Sequence, residues 1–212
     1  MQKLGDFKLP QFFNYPPYFT LQPVRDTREK QVQLWKELIL DYCRTQKIFV
    51  IGLEEEFPLF SNHLIESRSL SNEINLIHGA GSLSNEAREA FLSALVSEGR
   101  AEWLDRGHRK CLILWHRIQD WADILLHFVR DNGFEDSVMT VEEIRTGVES
   151  RGTVHTLTMK SKSAVVHLLP AVELHGIDRI ILMRALKLLE HKGKLAIFKG
   201  TSADDEGVKF SV

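Results

Sequence analysis

Val32, Trp35, Leu38, Ile39 and Tyr42 recur at spacings of three and four residues within "DTREKQVQLWKELILDYCRTQ". That spacing predicts an amphipathic helix, because positions three and four apart share one helical face. Asp26 stands three residues before Glu29 at its start, the pattern of a capping box. "KIFVI", residues 47–51, is a short β-branched and aromatic run that reads as a strand. "SNEAREAFLSALVSEG" predicts a second helix with Ala87, Phe91, Ala94 and Leu95 on one face and Gly99 placed to end it. "RAEWL" and "CLILW" follow as strands of a hairpin around the polar "DRGHRK".

The order then returns. "IQDWADILLHFVRDNG" predicts a helix with Trp121, Ile124, Leu125, Phe128 and Val129 inward, and "VMT" a brief strand. Thr140 and Glu143 form a capping box for a short helix that Gly147 ends. "IDRIILMRALKLLEHKG" predicts a longer helix with Ile181, Leu182, Ala185, Leu188 and Leu189 inward, followed by "KLAIFK", a turn-rich "GTSADDEG" and "VKFSV". "EGRAEWLD" and "KGKLAIFK" share a helix-stopping glycine, a base and an apolar strand at an offset of 94 residues. Helices followed by a hairpin, twice, are the pattern of tandem winged helices. The expected fold is α+β and helix-dominated, with winged-helix domains over 26–116 and 117–212 preceded by an extended segment over 1–25.

Two stretches depart from this pattern. "SLSNE" occurs at 69–73 and again at 82–86, the mark of a local duplication. Residues 152–172 contain no acid and keep no clear period. Both read as inserted loops, near 61–82 and near 152–172, tolerable because loop-closure cost rises slowly with length.

The first 25 residues hold the least ordinary pattern. "FFNYPPYFTLQP" places Phe12, Phe13, Tyr15, Tyr18 and Phe19 around Pro16 and Pro17. Proline lacks a backbone N–H and pushes the preceding residue toward extended conformations, so a polyproline-like backbone is expected here. Such a segment is suited to fill a partner's pockets with its rings, since little conformational freedom remains to be lost. It also resembles a WW-domain ligand, with Phe19 in the tyrosine position. The other reading is that it packs across its own first domain.

Composition removes several functions. The 212 residues carry 27 Lys and Arg against 29 Asp and Glu, so no overall positive field draws the chain to nucleic acid or anionic membrane. Residues 84–98, the helix that a DNA-binding winged helix would insert, carry three Glu against one Arg. The corresponding second helix, 178–192, is more basic but precedes an acidic turn, and a DNA-binding transcription regulator stands as the alternative reading. Cys43 and Cys111 show no metal spacing and read as reduced, buried thiols of a cytosolic protein. The N-terminus has no signal-peptide pattern, and no apolar stretch reaches the roughly 18 residues that span a bilayer. His63, His78, His155, His167 and His175 fall in or beside the suspected insertions without ligand spacing, and His116 follows the wing strand. "HGAGS" lacks the end of a phosphate loop, and Asp204, Asp205 and Glu206 read as a solvated turn. No enzyme, cofactor or metal site is expected.

"YPPYFTLQP…DTREKQ…W", "EGRAEWLD", "ILWHR…DWA" and "DEGVKF" occur in that order around the tandem. In these motifs the chain resembles the small-subunit family of the ESCRT-II endosomal sorting complex, the vacuolar protein-sorting-associated protein 25 family. The resemblance implies a non-catalytic assembly subunit, present in two copies with one of each larger subunit. It implies that Pro16, Pro17, Tyr18 and Phe19, with Tyr15 and Phe13 nearby, dock in pockets on those larger subunits. Arg68 best matches the family's arginine that forms a partner salt bridge. The second winged helix would engage an ESCRT-III subunit for multivesicular-body sorting of ubiquitinated cargo. Nucleic acid is not an expected partner, and the protein would be cytoplasmic, recruited to the endosomal membrane through its partners.

Overall fold

The computed structural model describes residues 3–63, 65, 81–147, 173–200 and 206–211. Most of the two suspected insertions, with Arg68, Asp204 and Asp205, lies outside the described residues. Contacts divide the chain into two units, residues 1–115 and 116–212.

In the first unit a short hairpin, β1 (Lys3–Leu4) and β2 (Phe7–Lys8), precedes helix α1 (Arg25–Gln46). The anticipated capping box is not formed. Val24 is the N-cap with no side-chain bond, and Asp26 lies inside the first turn beside the positive end of the helix dipole. Lys47, in the left-handed conformation, closes the helix. Strand β3 (Val50–Gly52), helix α2 (Asn85–Ser97), β4 (Ala101–Trp103) and β5 (Lys110–Ile113) follow. The strands form an antiparallel sheet in the order β3-β5-β4, with Ile51 opposite Cys111 and Ala101 opposite Ile113. Ser84 caps α2 by accepting the Ala87 N–H at 3.2 Å. Trp35 of α1 lies flat on Phe91 of α2, ring centroids 5.3 Å apart and planes 12° from parallel, and both are fully buried.

The second unit repeats the plan with α3 (Ile118–Asp131), β6 (Val138–Thr140), α4 (Val141–Thr146), α5 (Arg179–His191), β7 (Leu195–Lys199) and β8 (Glu206–Phe210). Its sheet order is β6-β8-β7, the same arrangement as the first. The capping box at α4 is present: the Glu143 carboxylate accepts the Thr140 N–H at 2.7 Å, and the Thr140 hydroxyl accepts the Glu143 N–H at 3.1 Å. The glycines of the 94-residue repeat, Gly99 and Gly193, have φ of 67° and 68°. Both helices stop on the same left-handed turn that glycine takes without steric cost. On α5 the buried face includes Leu186, while Leu188 is only half-buried, a shift of the inward stripe around the helix. Helix packing against a three-stranded wing in each unit gives the tandem winged-helix architecture.

Candidate functional site

The proline-aromatic segment does not run extended. Residues Gln11–Asn14 and Pro16–Phe19 form two successive 3-10 turns joined by Tyr15, which alone keeps β geometry between them. The turns are closed by bonds from the N–H of Phe13 to the Pro10 carbonyl (3.1 Å), Tyr15 to Phe12 (2.9 Å), Tyr18 to Tyr15 (3.1 Å) and Thr20 to Pro17 (3.3 Å). Pro16 and Pro17 open the second turn, where an N–H is not needed and a φ near −65° is already helical. The same local rule that argues against a long helix therefore admits a single tight turn.

The turns sort the rings into two groups. Phe13 and Phe19 point inward and are each 2% exposed. They meet edge-on at 5.2 Å, and Phe19 stands at 87° to Trp35 with centroids 5.5 Å apart. Trp35 thus contacts both Phe91 and the N-terminal segment. Tyr15, Pro16 and Pro17 are exposed, and Phe12 and Tyr18 are half-buried with their rings 5.0 Å apart. Tyr15 is 58% exposed and its ring lies 6.0 Å from that of Tyr18. The outward face is a patch of two tyrosines and two prolines at the tip of a loop. Of the residues expected to dock, Tyr15, Pro16 and Pro17 are exposed and Tyr18 is partly so. Phe13 and Phe19 are anchors in their own domain, and Arg68 lies outside the described residues.

Polar groups missed in the sequence hold this loop. Gln31, 1% exposed on α1, accepts the Gln22 N–H at 3.1 Å through Oε1. Its Nε2 donates to the carbonyls of Thr20 (2.9 Å) and Tyr18 (3.0 Å). Trp35 Nε1 donates to the same Tyr18 carbonyl at 2.9 Å. On the other side of the tip, buried Asn62 donates from Nδ2 to the Phe13 carbonyl at 2.7 Å. Gln31 lies four residues before Trp35 and seven before Leu38, so its spacing places it on the inward face of α1, and only its polar side chain argued against burial.

The helix that would enter a DNA groove is more acidic in space than in sequence. Arg88, its one base, is turned inward: the guanidinium lies 5.0 Å from the Phe60 ring centroid and donates to the carbonyls of Leu53 (2.9 Å) and Leu83 (3.0 Å). Burial lowers its affinity for the proton relative to a free arginine. Glu86 and Glu89 remain exposed, and Glu89 is engaged by His108 Nδ1 of the first wing at 3.0 Å, while His108 stacks on Trp103. In the second unit Arg179 of α5 donates to the Glu206 carboxylate at 2.9 Å, so part of that helix's positive charge is neutralised by its own wing. Such a surface repels phosphate in the first unit, and in the second one base of the helix is already paired. No helix among the described residues is long and apolar enough to cross a membrane.

A family model described as "ESCRT-II complex subunit" matches residues 12–158, beginning at the first ring of the proline-aromatic segment. The chain belongs to the ESCRT-II complex subunit family. Among curated relatives, the vacuolar protein sorting-associated protein 25 of Arabidopsis thaliana is 72% identical over 212 residues, with all of both chains covered. The protein of that name from Danio rerio is 34% identical, with 96% of this chain and 98% of the relative covered. The one from Homo sapiens is 31% identical, covering 96% and 97%. Two solved structures share the fold at 22% identity. One is the crystal structure of subunit VPS25 of ESCRT-II (TM-score 0.69, 95% of this chain and 98% of that one). The other is a chain of the ESCRT-II complex VPS22/VPS25/VPS36 (TM-score 0.66, 95% and 98%). For this ESCRT-II subunit the likeness of fold covers 95% of the chain and so takes in both winged-helix units.

Proposed function

We infer that this ESCRT-II subunit acts in endosomal trafficking as a non-catalytic arm, docking on the two larger subunits of its complex through the outward face of its N-terminal loop. The reading is supported by the likeness to VPS25, which is found with VPS22 and VPS36 in the solved ESCRT-II complex. The observation that carries the reading is the division of the rings. Phe13 and Phe19 fasten the loop to Trp35, while Tyr15, Pro16, Pro17 and Tyr18 face outward with no role in the core. Rigid aromatic and proline surfaces at the tip of a fixed loop lose little freedom on entering a pocket, which is what makes such side chains effective anchors. Two copies of the chain would each extend a second winged helix. Those two helices would hold ESCRT-III subunits close together at raised effective concentration on the endosomal membrane. Contact with the membrane comes through partners, and Arg68 contributes a salt bridge to one of them.

Co-purification with the two larger subunits tests the docking. Tyr15→Ala combined with Tyr18→Ala, which spares Phe13 and Phe19, should release the chain from the complex while leaving its circular dichroism unchanged. Full retention of the double variant in the complex would refute docking through this loop.

A further inference from the structure

We propose that Gln31 is a positioning residue for assembly: from inside the domain it holds the Tyr15–Tyr18 tip in its docking shape and so sets the affinity for the larger subunits. The proposal rests on the docking reading above. At 1% exposure Gln31 has no surface of its own to offer a partner. Both ends of its amide are nevertheless committed to the loop, Oε1 to the Gln22 N–H and Nε2 to the Thr20 and Tyr18 carbonyls. With Trp35 Nε1 on the Tyr18 carbonyl, four hydrogen bonds converge within five residues on the exit of the loop. The entry is pinned by Asn62 on the Phe13 carbonyl. The exposed tip lies between these two fixed points.

Buried polar groups are expensive to leave unpaired, so an amide placed here enforces one loop conformation rather than tolerating several. A loop released at its exit would populate the docking shape only part of the time. Apparent affinity then falls by that fraction, although every residue facing the partner is unchanged. The chemistry requires glutamine specifically. Oε1 meets an N–H and Nε2 meets carbonyls, so a glutamate in the same shape would set a second oxygen against the carbonyls of Tyr18 and Thr20.

The test uses the full chain, titrated calorimetrically onto the purified pair of larger subunits, with Tyr18→Ala as the control for docking itself. Gln31→Ala should weaken binding about tenfold, as the docking shape drops to about a tenth of the population. In the free chain the Gln22 amide should exchange faster by a comparable factor. Gln31→Glu should bind worse still at pH 8. Its deficit relative to wild type should narrow toward about pH 5.5, because protonation restores a donor to a buried carboxyl whose pKa desolvation has raised. With circular dichroism showing Gln31→Glu fully folded at both pH values, a loss of fold would not account for that pH-dependent recovery of affinity. If Gln31→Ala prevents folding, the Gln31→Glu pH series decides alone. The proposal is overturned if Tyr18→Ala abolishes binding while both Gln31 variants bind like wild type across the pH range. If Tyr18→Ala also binds like wild type, the docking reading falls first and takes this proposal with it.

Discussion

Removing the Phe19 ring should destabilise the isolated chain, a consequence that an extended, free N-terminal segment would not have. The ring is 2% exposed and stands edge-on to both Phe13 (5.2 Å) and Trp35 (5.5 Å). Truncating a buried phenylalanine to alanine costs about 3–5 kcal/mol, and the two ring contacts lie within that range. The segment is terminal, however, so the variant can release it rather than keep a cavity, and the loss is limited to what the docked segment contributes. An expected value for Phe19→Ala is therefore about 2–3 kcal/mol, against less than about 0.5 kcal/mol for Tyr15→Ala at an exposed position. Urea unfolding followed by tryptophan fluorescence measures the difference, since Trp35, Trp103 and Trp115 all belong to the first unit. With a slope near 2 kcal/mol per molar, the midpoint of that unit should fall by about 1–1.5 M for Phe19→Ala and hardly move for Tyr15→Ala. Equal midpoints for Phe19→Ala and wild type would refute the packing of the segment on Trp35.

Two further outcomes follow from titratable groups. Burial pushes the Cys111 thiol up to about 12, and burial reinforced by neighbouring Cys111 pushes Cys43 up as well. Neither thiol should react with Ellman's reagent in the native chain at pH 8, and both should react after unfolding in urea; fast labelling of the native protein would contradict the core placement. At the tip of the first wing, desolvation pushes the Asp105 carboxyl up. The N–H groups of Arg109, Lys110 and Gly107 and the Arg109 side chain outweigh it and hold the carboxyl below its ordinary value. A depressed carboxylate contributes stability above its unfolded pKa and loses it as pH falls through the folded one. The Gly107 and Lys110 amides should therefore lose exchange protection on acidification below about pH 4, and Asp105→Asn should remove that transition.

The elements and their order were legible because each rests on local periodicity. Trp35, Leu38, Ile39 and Tyr42 on one helix, and Trp121, Leu125, Phe128 and Val129 on another, are spaced so that only a helix puts them on one side. The paired glycines at 99 and 193 announced the repeat, and their matching conformations show why glycine stands there. Where a residue's role depended on a distant surface, the sequence alone was silent or misleading. Asp26 fits a capping box by spacing, yet the helix begins one residue earlier and leaves it inside the first turn.

The proline-aromatic segment shows the division most sharply. From residues 12–23 alone one can say that a long helix is excluded and that rings and prolines are concentrated for contact. Which rings turn inward could not be read, because the wall that receives Phe13 and Phe19 is Trp35, held in place by Phe91 from a helix more than fifty residues further along. The role of Gln31 was hidden for the same reason: its spacing places it on the inward face of α1, but its amide becomes a strut only when the loop folds over it. Local sequence determined which segments are helices, strands and turns, because backbone sterics and side-chain spacing act within a few residues. Tertiary packing decided which face of the loop is anchor and which is offered outward, because burial belongs to surfaces that meet across the chain.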